Sequence, residues 1–284
     1  FRKIIAYDFK KRIFNLEVEG LTRIVYQFAD HELINKEKLK KHIILHEDSN
    51  SKIDYYLIKH KIFEKNLDFI KTQFIETGSI KNNEKVVNNN KEEYDIMLIS
   101  QFRPNIYNFF GVYNPKMMYN SDSAIWYLTN VISKYCSSNN KKLAIALASN
   151  REDKKKYNYK NLELKFFKSI NDKFYTEDID SYNLAEKSKI IVTTYSSLGL
   201  ELLARGKKVF FLDPFHFLGG NYLNMFTSEK EGDHWLAGND ENKIFEKIDQ
   251  LSNFSEEKWR EIQKNSPLLI KFDPENNKLK KIIQ

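Results

Sequence analysis

The residues with the clearest chemical potential are hydroxyl side chains that follow an apolar run. Lys189–Thr194 reads KIIVTT, a run of strand length, and Ser196 and Ser197 come directly before a segment of helical character. The start of a helix offers unpaired backbone N–H groups and a dipole that favours an anion, and hydroxyl groups add donors. We therefore expect Thr194, Ser196, Ser197 and the Leu198 amide to bind a phosphate group; the alternative is an ordinary helix cap.

A second group of polar residues follows another apolar run. Asp95–Ser100 reads DIMLIS, with Gln101 and Arg103 just beyond it, and Asp122 stands about twenty residues later at an expected helix start. A carboxylate beside a strand end can act as a nucleophile or as a general base. Asp122 is therefore a candidate catalytic group, or alternatively a helix cap. Arg103 can bind a ligand carboxylate through a bidentate pair.

The long segment after the last apolar run holds a further candidate. His234 lies beside Asp233 in the segment 213–238, which is rich in Gly, His, Asp and Trp, and it is a candidate for acid–base chemistry or a structural histidine. Asp178 and Asp180 have D-x-D spacing, but they stand directly before a helix and are expected to cap it. The chain lacks a P-loop and the usual zinc spacings, and we expect no metal cofactor.

These residues need a sheet to position them. From residue 92 onwards, near-continuous apolar runs alternate with helical patterns, which predicts an α/β domain with a Rossmann-like parallel sheet. The predicted strands are 95–100, 143–148, 162–167, 189–194 and 209–212, and the predicted helices are 122–136, 180–187, 197–205, 242–251 and 256–264.

The first 80 residues predict a smaller or truncated α/β part. Residues 2–7 and 42–46 read as strands, and apolar residues at spacings of three and four predict a long helix over 51–76. The Asn-rich segment that follows predicts a linker over 81–91. The predicted domains are thus 1–80 and 92–284.

Composition limits the classes of function. The 284 residues are 41% hydrophobic, with one cysteine, Cys136, and no apolar run of membrane-spanning length. No leader is visible, so we expect a cytoplasmic protein. The net charge of +7 concentrates in 141–173, which indicates either a solvated face or a patch for an anionic ligand or membrane surface. The 39 lysines outnumber the 7 arginines, which argues against a nucleic-acid partner.

The segment Leu198–Val209, LGLELLARGKKV, resembles the donor-binding helix of GT-B glycosyltransferases. Within this superfamily the segment is similar to bacterial capsule and lipopolysaccharide transferases of the Kdo-transferase and polysialyltransferase type. Their Ser-Ser motif is similar to Ser196 and Ser197 and implies contacts to a nucleotide phosphate. Glu201 resembles the donor-side glutamate, which implies a contact to the ribose. The order of Gln101 and Asp122 is similar to that of capsule-type Kdo transferases, which implies that Asp122 lies near the anomeric carbon.

Four positions depart from this pattern. Ser149 and Asn150 stand where sialyltransferase-type enzymes have His-Pro, which weakens a sialic acid donor. Lys208 replaces a proline, and Thr193 stands where many retaining relatives carry a second glutamate.

The resemblance implies a GT-B-like, metal-independent glycosyltransferase. Its donor would be a nucleotide-sugar, with a CMP-sugar such as CMP-Kdo favoured. Its acceptor would be a glycan or a lipid-linked glycan of bacterial surface-polysaccharide biosynthesis, and the resemblance implies that residues 1–80 lie on the acceptor side. Peripheral contact with the anionic inner face of the plasma membrane is also expected. Two alternatives stay open: a CDP-alcohol-dependent glycerophosphotransferase of the teichoic-acid type, and a non-catalytic protein that binds an anionic ligand or nucleic acid.

Overall fold

The computed structural model divides the chain into two compact units. Unit 1 comprises Phe1–Lys85 and Leu269–Gln284, and unit 2 comprises Val86–Leu268. The residues described are 3–8, 13–18, 22–27, 55–66, 73–87, 91–102, 115–148, 159–194, 196–214 and 226–283. The predicted strand over 42–46 lies outside them. In the described part of the chain, no helix is long and apolar enough to cross a membrane.

Unit 1 contains a mixed sheet with the strand order β1-β2-β3-β4-β5. The first three strands pair antiparallel, and β4 pairs parallel with β3 and with β5. The strands are β1 Lys3–Asp8, β2 Ile13–Val18, β3 Thr22–Gln27, β4 Tyr55–Ile58 and β5 Gln73–Glu76. The helices are α1 Ile80–Glu84 and α8 Asn277–Ile283, with 3-10 turns at Lys61–Asn66 and Pro274–Asn276.

The C-terminal segment belongs to unit 1 because buried amides join it to α1. The Asn83 side-chain amide donates to the Thr77 carbonyl and to Asn276 Oδ1, both at 2.8 Å, and Asn83 Oδ1 accepts from the Asp273 N–H at 3.0 Å. Gly78, at φ +72°, also lies so close to the Lys271 carbonyl that a Cβ would stand 1.8 Å from that oxygen. The predicted domains instead place 269–284 with the nucleotide-binding part.

Unit 2 is an α/β domain with the strand order β10-β11-β9-β8-β6-β7. All neighbouring strands pair parallel except β10, which is antiparallel to β11. The strands are β6 Tyr94–Ile99, β7 Leu143–Ala146, β8 Ser188–Thr193, β9 Lys208–Asp213, β10 Glu231–Gly232 and β11 Trp235–Ala237. The helices are α2 Pro115–Ser138, α3 Tyr159–Ile170, α4 Ser181–Glu186, α5 Ser197–Ala204, α6 Glu241–Asn253 and α7 Glu256–Asn265.

The core of unit 2 lies against the central strands. Met97 and Leu98 of β6 and Ile191 and Val192 of β8 are completely buried, as near-continuous apolar strands in a covered parallel sheet should be. The helices bury residues at spacings of three and four, which in α2 are Ile125, Leu128, Val131, Ile132 and Tyr135. Trp259 of α7 is also buried, and its indole N–H donates to the Gly206 carbonyl at 2.7 Å.

Three predicted elements were wrong. The predicted linker over 81–91 begins with four residues of helix α1, in which Asn82 and Asn83 are buried. The predicted strand 162–167 is part of helix α3, because its buried residues Glu163 and Phe167 are four apart and share one helical face, while Leu162 is exposed. Of the predicted helix over 51–76 the structure describes 55–66 and 73–76, and these residues contain β4, a 3-10 turn and β5. The run Tyr55–Ile58 packs as a buried strand between two neighbours, so the spacing of three and four reflected two short strands.

Candidate functional site

The carboxyl ends of β6 and β8 form the point where the sheet changes its direction of growth. The chain passes from β6 to β7 on one side of β6 and then to β8 on the other side. In open α/β sheets this arrangement leaves a crevice at the carboxyl ends of the two strands, and ligands bind there. The predicted phosphate-binding residues follow one of these strands, and Gln101 follows the other.

A hydrogen bond joins the two strand ends. The Thr194 hydroxyl donates to Gln101 Oε1, so the residue that follows β8 is tied to one just beyond β6. Thr194 is buried and Gln101 is half-buried. Two of the predicted donor-site residues are therefore brought together from positions 93 residues apart.

Helix α5 begins at this edge of the sheet. Ser196 is its N-cap, with an extended backbone, and the Ser196 hydroxyl oxygen accepts from the Leu198 N–H at 3.3 Å. The Gly199 N–H donates to the Ser196 carbonyl at 2.9 Å. The expectation that the amides here are unpaired is therefore wrong for Leu198 and Gly199. An anion at this helix start would replace the Ser196 hydroxyl as the partner of the Leu198 amide. Ser197 and Leu198 are half-buried.

A glycine lets α5 approach the sheet. A Cβ on Gly199 would stand 2.7 Å from Thr193 Cγ2 and 3.0 Å from Phe211 Cε1, and such contacts are too short to tolerate without movement. Gly199 is buried, and α5 packs on both β8 and β9. The absence of a side chain at this position therefore fixes the helix start close to the two strands.

Glu201 sits in the second turn of α5 and belongs to a small polar cluster. Glu201 Oε2 accepts from the Tyr182 hydroxyl at 2.6 Å. Burial, together with the neighbouring Glu201 carboxylate, raises the pKa of Tyr182, so the phenol stays protonated and donating. The Arg205 guanidinium lies 5.4 Å from the centre of the Tyr182 ring. Glu201 is half-buried and held in one orientation, which suits a residue that must present a carboxylate to a ligand.

Sequence reasoning missed Glu163. This residue of α3 is completely buried, and its Oε1 accepts from the Ser100 hydroxyl and, at 2.8 Å, from the Ala148 N–H. It therefore joins the ends of β6 and β7 next to the crevice. A carboxylate is rarely buried unless it is paired, so a Glu within an apolar run indicates a residue with a specific partner. The incorrect assignment of 162–167 as a strand concealed this indication.

His234 lies away from this edge. It is completely buried, Nδ1–H donates to the Val209 carbonyl at 3.0 Å, and Nε2 accepts from the Ser266 hydroxyl at 2.8 Å. Burial lowers the pKa of His234 to about 4, so the ring is neutral at pH 7. Val209 lies four residues before the carboxyl end of β9, which is about 13 Å along the strand. These contacts favour the structural alternative for His234 over a role in acid–base chemistry.

The other two predicted residues are less defined. The Asp122 backbone lies in the third turn of α2, because this helix begins at Pro115 rather than at Ser121. The alternative of a helix cap is therefore wrong for Asp122, and its side chain lies outside the described part of the structure. Arg103 also lies outside the described residues. Asp180, by contrast, caps α4 as predicted, accepting from the Tyr182 N–H at 3.0 Å.

The structure resembles several solved proteins. It is similar to the UDP-GlcNAc 2-epimerase of Methanocaldococcus jannaschii, determined with UDP-GlcNAc and UDP, at 14% identity and a TM-score of 0.49, covering 81% of this chain and 61% of that one. A UDP-N-acetylglucosamine 2-epimerase from Listeria monocytogenes, described as putative, has 12% identity and a TM-score of 0.51, and the match covers 87% of this chain and 62% of that one. The wall teichoic acid polymerase TagF has 15% identity and a TM-score of 0.47, and the match covers 86% of this chain and 60% of that one.

The likeness to the Listeria structure concerns the fold, and a family match adds a biosynthetic setting. The chain spans about three fifths of the length of the structures that it resembles. Its mixed α/β fold is GT-B-like, which confirms the predicted fold class. Residues 38–284 match a family described as "putative O-antigen biosynthesis protein". The chain belongs to this family. No curated protein matches it in sequence.

Membership of the O-antigen family confirms the predicted connection to surface-polysaccharide biosynthesis. The Kdo-transferase and polysialyltransferase subtypes stay predictions. The crevice itself offers a helix start and hydroxyl groups, and the Glu201 carboxylate follows in the second turn of that helix, hydrogen-bonded to Tyr182. These groups are suited to binding a phosphorylated ligand with a hydroxyl-bearing sugar next to the phosphate.

Proposed function

We propose that this protein is a glycosyltransferase that moves a sugar from a nucleotide-activated donor to a bacterial surface glycan. The observation that carries the proposal is the Thr194–Gln101 hydrogen bond at the crevice, directly beside the capped start of α5. This bond lies at the edge of a parallel sheet where nucleotides characteristically bind, close in sequence to the hydroxyl groups of Ser196 and Ser197. The family match supports the setting in O-antigen biosynthesis.

In the proposed reaction the bond between the anomeric carbon of the sugar and the phosphate oxygen breaks, and the nucleotide leaves with the electron pair. The acceptor hydroxyl attacks the anomeric carbon and loses its proton to a base, for which Asp122 is the candidate. The helix start, Ser196 and Ser197 stabilise the charge that grows on the departing phosphate. Glu201, oriented by Tyr182, accepts a hydrogen bond from the ribose of the donor.

The finer features of the donor and acceptor belong to the same proposal. A CMP-sugar such as CMP-Kdo is the favoured donor, no metal cofactor is required, and the acceptor is a glycan or a lipid-linked glycan. The location proposed for the reaction is the cytoplasm, at the inner face of the plasma membrane, with no nucleic-acid partner. The names of the similar epimerases make UDP the principal competitor to CMP as the bound nucleotide.

The donor site is tested by thermal shifts with CMP, CDP, UDP and GDP. A nucleotide at about 100 times its dissociation constant adds about 2.7 kcal/mol of stability. In a domain of this size that raises Tm by several degrees, at about 2–4 °C per kcal/mol. We expect one base to produce the shift, and both Ser196→Ala and Glu201→Ala to abolish it.

Loss of a helix cap must be separated from loss of a ligand contact. Ser255 is the matched control, because it caps α7 as Ser196 caps α5 and accepts from the Lys258 N–H at 3.2 Å. Ser255→Ala should lower Tm by a similar amount yet keep the nucleotide shift. No shift with any nucleotide in the folded wild-type protein would remove the proposed donor site.

Product analysis then separates the remaining candidates. Transfer of a sugar supports the proposal, whereas transfer of glycerophosphate from a CDP-alcohol identifies the teichoic-acid-type alternative. Nucleotide binding without turnover of any donor indicates a non-catalytic binding protein.

A further inference from the structure

Unit 1 contains an open groove with an unusual lining. The groove has a volume of about 630 Å³ and runs along β5, the last strand of the described sheet. Its lining includes four lysines and one carboxylate, together with Phe74: the charged residues are Lys61, Glu76, Lys271, Lys278 and Lys281. At neutral pH these side chains give the groove an excess of three positive charges.

The four lysines come from three separate segments of the chain. Lys61 opens the turn after β4, Lys271 precedes the C-terminal 3-10 turn, and Lys278 and Lys281 stand three apart on one face of α8. All four are exposed. Folding thus concentrates positive charge that is dispersed in the sequence, which costs free energy unless an anion compensates it.

Within the described residues, none of these four ammonium groups forms an ion pair. The nearby carboxylate does not neutralise them, because Glu76 Oε1 accepts instead from the Lys61 backbone N–H at 3.3 Å. Lys278 Nζ donates to the Glu76 backbone carbonyl at 3.3 Å, a neutral partner. Lys280, on the same helix but outside the groove, does pair with a carboxylate, at 3.6 Å from Glu275.

We propose that this groove is a binding site for a diphosphate-bearing ligand. Lysine ammonium groups bind phosphates as point charges and tolerate varied geometry, so several of them can share one highly charged group. The volume is within the range of about 300–1,000 Å³ typical of small-ligand pockets and exceeds the space that a single phosphate fills. The half-buried Phe74 adds an apolar surface for the portion attached to the phosphates.

Two sources present this chemistry: a lipid diphosphate at a membrane surface and a soluble phosphorylated glycan. The proposal does not depend on the donor site, because the groove residues belong to unit 1 and the donor-site residues belong to unit 2. Ser196→Ala should therefore leave binding at the groove unchanged, and the two proposals can fail separately.

The test measures binding of inorganic pyrophosphate to the full chain by calorimetry at low salt. Binding to phosphatidylcholine vesicles that carry a lipid diphosphate is measured in parallel, against phosphatidylcholine alone and against phosphatidylcholine with the monophosphate lipid phosphatidylglycerol. Removing one lysine at an anionic surface costs about fivefold in affinity, so Lys278→Glu with Lys281→Glu should weaken binding more than about twentyfold. Lys61→Glu, in a different segment, should weaken it as well.

Two variants keep the test independent of folding. Lys280→Glu is the matched control on the same helix and should change the affinity by less than about twofold. Glu76→Gln removes the negative charge from the groove and should tighten binding, a gain that misfolding cannot produce.

The outcomes separate the ligand sources and decide the proposal. Vesicle binding that pyrophosphate displaces supports the groove with a lipid headgroup as its ligand, and pyrophosphate binding without vesicle binding supports a soluble ligand. The proposal is overturned if wild type binds neither probe, or if Lys280→Glu loses as much affinity as the paired variant. It is also overturned if Glu76→Gln fails to tighten binding.

Discussion

At the scale of single residues, two adjacent threonines at the end of β8 have different environments. The Thr194 hydroxyl donates to Gln101, whereas Thr193 Oγ1 is buried without a partner in the described part of the chain. Side chains of successive residues in extended backbone point to opposite faces of a sheet, so the two threonine hydroxyl groups meet different neighbours. The Thr193 methyl group instead lies against Gly199. Residue type alone did not distinguish these two roles.

His234 makes the stability of unit 2 depend on pH. Burial holds its folded-state pKa at about 4, below the ordinary value of 6.5, so the unfolded chain binds a proton that the folded protein does not. The stability that the neutral ring supplies is complete above pH 6.5 and is lost as the pH falls towards 4. From pH 7 to pH 5 the free energy of unfolding should fall by about 2 kcal/mol.

Urea unfolding at the two pH values checks this prediction. His234→Gln should remove the corresponding part of the pH dependence of unit 2. Burial also lowers the pKa of His60, so His60→Gln should change the pH dependence of unit 1 and leave that of unit 2 as in wild type. Equal pH dependence in wild type and His234→Gln would contradict the assignment.

At the scale of elements, the packing of α5 against β8 and β9 sets the geometry of the crevice. The helix starts close to the sheet because Gly199 has no side chain, and its first turn is capped by Ser196. The held Glu201 carboxylate then follows from the position of α4, which carries Tyr182. A shift of α5 would therefore disturb the hydroxyl donors and the carboxylate together.

Gly199→Ala should push α5 away from the strands, because its Cβ would meet Thr193 and Phe211. Overpacking of this kind costs about 1–3 kcal/mol. Urea unfolding measures the loss, and the nucleotide thermal shift should fall with it. Adding Thr193→Ser removes the closest methyl group and should restore part of the stability. A stability of Gly199→Ala equal to that of wild type would show that the close contact has no energetic consequence.

At the scale of the whole molecule, unit 1 is assembled from both ends of the sequence. Asn83 makes three hydrogen bonds in a buried position, and two of them reach residues about 190 positions away. Unit 2, by contrast, is one continuous segment built around its parallel sheet. Unit 1 therefore depends on contacts between the two ends of the sequence, whereas unit 2 forms within one segment.

Asn83→Ala should destabilise unit 1 alone. It leaves buried polar groups at Thr77, Asp273 and Asn276 without their partner, at a cost of about 1–3 kcal/mol for each group that stays unsatisfied. Hydrogen exchange should become faster in 77–85 and 271–280, while the amides of β6 and β8 keep their protection. Faster exchange throughout unit 2 would contradict this separation.

The amino-acid pattern was sufficient to predict the parallel sheet, a helix that starts at Ser196 or Ser197 and the position of these residues after a strand. These features depend on local properties, namely near-continuous apolar runs and capping residues, which act within a few residues. The same local pattern failed at Tyr55–Ile58 and at 162–167, where short apolar runs fit both a helix and a strand.

Contacts between distant residues required the folded chain. The Thr194–Gln101 bond, the burial of His234 and Glu163, the attachment of the C-terminal segment to Asn83 and the grouping of four lysines all join residues far apart in sequence. No spacing in the sequence encodes such pairs, because strand order and helix packing determine which residues become neighbours. The chemical groups were therefore predictable from the residue types, whereas the topology determined which residues those groups contact.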